Sequence, residues 1–133
     1  MTGRKQVKGE AVGRELLPGQ SPALLKALHI LTRDGHLNAD SLRKLKQVNH
    51  LARLLAPALD DVLARFGDPV VVDCGAGKSY LGFILYEAAV GPAGKGTLVG
   101  IESRPELVRA FRTYNAYAAP FRMASDAYEH ERP

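Results

Sequence analysis

The segment VVDCGAGKSY, residues 71–80, decides how this chain is read. With the preceding valine it begins as Val70-Val71-Val72, a β-branched run of the kind found in strands buried on both faces. Asp73 ends the run, and Gly75 and Gly77 open a loop that leads into an apolar, helix-compatible stretch. A glycine loop between strand and helix is a ligand cradle, because backbone without Cβ atoms admits a close approach. Three kinds of loop share that outline, and two fail here. A P-loop requires G-x-x-x-x-G-K-[ST]. Gly77-Lys78-Ser79 supplies its end, but the first glycine would fall at Val72, inside the strand. A dinucleotide fingerprint requires G-x-G-x-x-G, whose last glycine lets helix and strand pack closely. That position is Tyr80, and Asp73 would repel a pyrophosphate. What remains is D-x-G-x-G, a cradle with its own negative charge.

The rest of the chain reads as one soluble domain. Its 133 residues are 46 % hydrophobic and 24 % charged, an ordinary globular balance. No apolar run reaches the ~18 residues of a membrane span. The basic N-terminus MTGRKQVKGE lacks the apolar segment of a secretory signal. Cys74 is the one cysteine, so no internal disulfide forms, which suits a cytoplasmic setting. In the loop it reads as a small buried thiol. His29, His36, His50 and His130 lack metal-ligand spacing, and no metal is expected. A net charge of +4 favours an anionic partner such as nucleic acid.

Three regions follow from the pattern. Residues 1–20 are polar and glycine-rich and read as a flexible basic arm. Residues 21–66 read as a helical extension. Ser21 is an N-cap with Pro22 at the first helical position, and Gly35 is expected to end that helix. Asn38 or Asp40 caps a second helix with the apolar stripe Leu42, Leu45, Val48, Leu51, Leu55, Leu59, Val62, Leu63 and Phe66. Pro57 is expected to kink or split it. Residues 67–133 alternate strand and helix, the start of a parallel α/β sheet. Thr97–Ile101 is the second strand and closes on Glu102. Ser103 and Glu106 are spaced as a capping box for the next helix. A short third strand fits within residues 120–125, with Asp126 at its end.

An acid beside the glycine loop and a second acid closing the next strand form one constellation. Asp73-x-Gly75-x-Gly77 with Glu102 resembles the first motifs of class I S-adenosylmethionine-dependent methyltransferases. The chemistry is coherent: that cofactor is a cationic sulfonium with a free amino group, which an acid attracts. Glu102 stands at the carboxyl end of its strand, where ligands bind in open α/β sheets and where a carboxylate can accept from ribose hydroxyls. Asp73 to Leu81 further resembles the D-x-G-x-G-K-[SG]-Y-L loop of the methyltransferase-domain branch related to methyltransferase-like protein 25. A K-x-x-Q-[VI] segment recurs upstream in that branch, matched by Lys44, Gln47 and Val48.

The resemblance implies a Rossmann-like methyltransferase fold, incomplete at β-α-β-α-β, with an N-terminal helical extension. It implies S-adenosyl-L-methionine as cofactor, held by Asp73, Gly75, Ala76, Gly77, Lys78, Glu102 and, at the adenine, Asp126. Lys44 and Gln47 would form a second wall for cofactor or substrate. RNA is the expected substrate; no catalytic residue is assigned. The first strand is expected at a bare sheet edge, so a C-terminal half, a second copy or another partner would complete the sheet. The alternative is a non-catalytic interaction module that keeps the loop.

Overall fold

A computed structural model describes residues 10–115 and 122–123. Its sheet has three parallel strands, β1 (Val70–Cys74), β2 (Thr97–Ile101) and β3 (Arg122–Met123), in the order β1-β2-β3. The β1–β2 register runs from Val70 opposite Thr97 to Cys74 opposite Ile101, so the two carboxyl ends are level. β3 pairs with β2 through Val99–Arg122 and Gly100–Met123. Parallel strands need crossovers, which are supplied by helices. The first crossover is α4 (Tyr80–Leu85), a π-helical turn over Tyr86–Val90, and α5 (Gly91–Ala93). The second contains α6 (Pro105–Asn115). This is the partial Rossmann-like arrangement expected, with β1 at an open edge.

Ahead of the sheet lie α1 (Glu10–Gly13), α2 (Pro22–Ala27) and α3 (Ala39–Arg65). Both caps read from sequence form: the Ser21 hydroxyl accepts from Leu24 N–H at 3.2 Å, and the Asn38 side chain from Ser41 N–H at 2.9 Å. Two expectations need correction. The helix begun at Pro22 stops at Ala27, well short of Gly35. His29 takes a left-handed φ of 58°, and its N–H and that of Ile30 turn back to the carbonyls of Lys26 and Leu25. That is the Schellman way of closing a helix, here with histidine where glycine is usual. Gly35 instead serves the following turn, at φ +76°. Pro57 does not split α3, which runs through it for 27 residues. Pro57 is solvent-exposed, so the carbonyl that loses its partner can bond water.

One core joins α1 to α4, the π turn and β2, with Val71 of β1 packed against it. Leu24, Leu25 and Leu28 meet Leu45, Ala52, Leu59 and Leu63 of α3, Phe83 and Ile84 of α4, and Leu98 of β2. The α3 stripe is only partly used, since Leu51, Leu55 and Phe66 stay exposed. The valine strand also departs from its reading. Val70 is 62 % and Val72 49 % exposed, while Val71 packs inward. No described element covers the outer face of β1, so the run is buried on one side.

Residues 10–20, read from sequence as part of a flexible arm, are packed. Val12 is buried. Asn49, 2 % exposed on the inner face of α3, ties the segment down. It donates to the Glu15 carbonyl (3.0 Å) and accepts from Gln20 Nε2 (2.9 Å), while Gln20 Oε1 accepts from Leu17 N–H (3.0 Å). Glu87, in the π turn, accepts from Ser21 N–H at 2.7 Å and fastens α2 to the first crossover. Replacing Asn49 with Ala leaves several of these buried groups unpaired. A loss of about 2 kcal/mol is expected, read by urea unfolding, with amide exchange accelerated first in residues 10–20.

Candidate functional site

The level ends of β1 and β2 bring two chain exits together. Out of β1 comes loop 75–79. Gly75 and Gly77 hold φ of +69° and +61°, conformations that L side chains rarely adopt. A Cβ at either position would meet no atom within 4 Å. Backbone conformation therefore demands glycine, and the space in front is open to a ligand. Ala76 N–H donates to the Ile101 carbonyl at 2.9 Å, which pins the loop to the end of β2.

Out of β2 comes Glu102, 4 % exposed. Its carboxylate accepts four hydrogen bonds. Oε1 takes the Gly77 backbone N–H (3.0 Å) and Arg104 Nη2 (3.0 Å). Oε2 takes the Arg104 backbone N–H (3.0 Å) and Arg104 Nε (3.1 Å). The Arg104 guanidinium, then its backbone N–H, hold the Glu102 carboxyl down from 4.5 to about 2; burial opposes them and Gly77 N–H assists. Asp73 has the opposite surroundings. It is half-buried, no described residue donates a hydrogen bond to it, and burial raises its carboxyl above the ordinary value. A carboxylate held partly out of water without donors is a cost to the fold that a cationic ligand would offset. Glu102 is thus tied to the loop through Gly77 N–H, while Asp73 has no donor among the described residues.

Asp73, Gly75, Ala76, Gly77 and Glu102 meet at this one place. Lys78 is on the same loop and exposed. Lys44 and Gln47 are exposed on α3 and make no hydrogen bond to the loop. Asp126 lies outside the described residues. Cys74 is exposed rather than buried, because it shares the uncovered face of β1 with Val70 and Val72.

Two residues escaped the motif reading. Arg104 is one; its signal was a base two places after a strand-ending acid. It also takes the cap position, with its carbonyl accepting from Leu107 and Val108 N–H, so the Ser103–Glu106 capping box does not form. Ser79 is the other. It is 1 % exposed, sits at φ 62°, and its hydroxyl has no partner. Its signal was the loop pattern of the resemblance, which allows glycine there.

A family model described as a methyltransferase domain matches residues 43–131. The chain belongs to that methyltransferase-domain family. No curated protein and no solved structure gives a significant match. The matched span runs from the first turns of α3 through β1, the glycine loop, Glu102 and β3, so the site above lies wholly inside the methyltransferase domain. Methyl transfer is the reaction that membership implies. Among the described residues of the domain, no three His, Cys, Asp or Glu side chains gather as a metal site, and no helix is long and apolar enough to cross a membrane.

Two measurements test this geometry. Ser79→Gly removes an orphaned buried hydroxyl and a left-handed side chain at the expense of backbone entropy. A net gain of roughly 1 kcal/mol in unfolding free energy is expected. Glu102 has a lowered carboxyl, so its stabilisation is fully present above its ordinary 4.5 and is lost as pH falls toward about 2. Glu102→Gln is therefore expected to be less stable than wild type at pH 7, with the gap unchanged down to about pH 5 and closing below it. A gap independent of pH from 6 to 2 would remove the Arg104–Glu102 contact from the account.

Proposed function

We propose that the methyltransferase domain binds S-adenosyl-L-methionine in the 73–78 loop against Glu102 and takes part in methyl transfer to RNA. The observation that carries this reading is Asp73: a half-buried carboxyl with no donor among the described residues, beside a glycine cradle that is open on its outer side. A phosphate ligand would be repelled there, whereas a ligand bearing an ammonium and a sulfonium would be attracted. When bound, the cofactor supplies an electrophilic methyl group. The chain's own residues hold and orient. Asp73 would accept from the cofactor's amino group, Gly75, Ala76 and Gly77 would flank it with bare backbone, and Glu102 would accept from ribose hydroxyls. Lys78 would serve the cofactor carboxylate and Asp126 the adenine amino group. Rate enhancement then comes mainly from aligning an acceptor behind the methyl group.

RNA is favoured as substrate by the +4 charge and by the exposed α3 face that carries Lys44, Lys46, Gln47, His50 and Arg53. Lys44 and Gln47 would stand there as a second wall. The chain supplies the cofactor-binding half, in a cytoplasmic setting, and a substrate-shaping half joins at the free edge of β1.

One observation favours a second reading, that of a non-catalytic interaction module. Beside the bare β1 edge runs an apolar groove of about 180 Å³ lined by Leu55, Ala58, Leu59, Val62, Val71 and Leu85. Such a surface beside an open strand edge invites a partner.

Calorimetric titration with S-adenosylhomocysteine, with ATP and NAD as controls, tests the cofactor reading. Saturable binding is expected for wild type, with at least a ten-fold loss in Asp73→Ala and Glu102→Ala and no heat from ATP or NAD. A folded chain that binds ATP equally well would end it. Binding of the homocysteine ligand without methyl transfer to RNA or protein would favour the module.

A further inference from the structure

We infer that Arg104 closes the ribose subsite of the ligand-free chain and must be displaced by the vicinal diol of an incoming ligand. The inference rests on the cofactor reading above and adds a residue that no motif assigns. An ionised carboxylate offers about four acceptor positions. In Glu102 all four are taken: two by backbone N–H groups, of Gly77 and Arg104, and two by the Arg104 guanidinium. The backbone donors are fixed by the loop and by the start of α6. The guanidinium is not. The Arg104 side chain is 60 % exposed and can swing into water, whereas Glu102 is buried and cannot follow.

When the guanidinium leaves, it frees one position on Oε1 and one on Oε2. Two neighbouring hydroxyls on a ribose supply one donor for each. The exchange is balanced in number: two charge-assisted bonds broken, two made. A deoxyribose would return only one. A phosphorylated ribose would bring a negative charge against Glu102, which stays ionised at neutral pH. Arg104 therefore weakens binding of every ligand that must displace it, and a ligand with both hydroxyls recovers more of that cost than one with a single hydroxyl.

The experiment is calorimetric titration of the 133-residue chain with S-adenosylhomocysteine and with its 2′-deoxy analogue. Wild type, Arg104→Ala and Arg104→Gln are compared, and thermal melts verify that each is folded. Both variants are expected to bind S-adenosylhomocysteine on the order of ten-fold more tightly than wild type. The 2′-deoxy analogue, which returns one bond for the two broken, is expected to bind more weakly than S-adenosylhomocysteine to wild type and variants alike. In parallel, the Arg104 Nε–H resonance of wild type is expected to move to a solvent-exchanging position on saturation. Tighter binding by the variants, including binding seen only in them, supports the inference. Equal or weaker binding by folded variants, with saturable binding by wild type, overturns the role of Arg104 and leaves the cofactor reading standing. No saturable heat from wild type or either variant overturns both.

Discussion

The hydrogen bond from Gly77 N–H to the Glu102 carboxylate is the contact on which this site depends. It spans one crossover of the chain, joining the loop after β1 to the residue after β2. It can form only because the strands end level, with Cys74 opposite Ile101. A one-residue slip of that register would also turn Val71 away from the core, so burial and site geometry enforce the same pairing. Glycine at 77 is required twice over: φ is +61°, and its N–H must face an acid rather than continue a helix. The carboxylate in turn is affordable in a nearly closed position because every acceptor site on it is filled.

Around that contact two carboxyl groups have opposite surroundings. Glu102 is saturated with donors and strongly acidic. Asp73 has none among the described residues and is made a weaker acid by burial. Two carboxyl groups near one loop with pKa values pushed in opposite directions is a pattern of functional sites. Ser79, held left-handed with an unpaired hydroxyl, adds a third local cost at the same place. Clustering of unfavourable features beside open space is what distinguishes this loop from the well-paired remainder.

Much of this was legible in the sequence, and the parts that were not have common causes. The strand–loop–helix order, the caps at Ser21 and Asn38, and the pairing of the glycine loop with Glu102 rest on local patterns whose physics does not depend on the rest of the chain. The exposed outer face of β1 is not legible because a valine run reports what a strand tolerates, not what covers it. Gly35 suggests a helix stop because glycine usually takes the left-handed cap position, which His29 holds here. Pro57 suggests a break, but its cost depends on which side of the helix loses a bond. Asn49 organises residues 15–20, and nothing nearby in sequence names its partners. Arg104 carries no motif because its role is to fill acceptor sites, which any nearby base could do.

The bond from Ser21 N–H to Glu87 has a consequence in time as well as in space. Its two residues are 66 positions apart. At ordinary rates of synthesis, roughly 3 to 13 s separate their appearance on the ribosome. During that interval the apolar side of α2 has no crossover helix to rest on, since Phe83 and Ile84 emerge in the same late stretch. The side of α2 that meets Phe83 and Ile84 must therefore wait for the stretch that follows the glycine loop. Docking of α2 then reports that the helix following the glycine loop has formed.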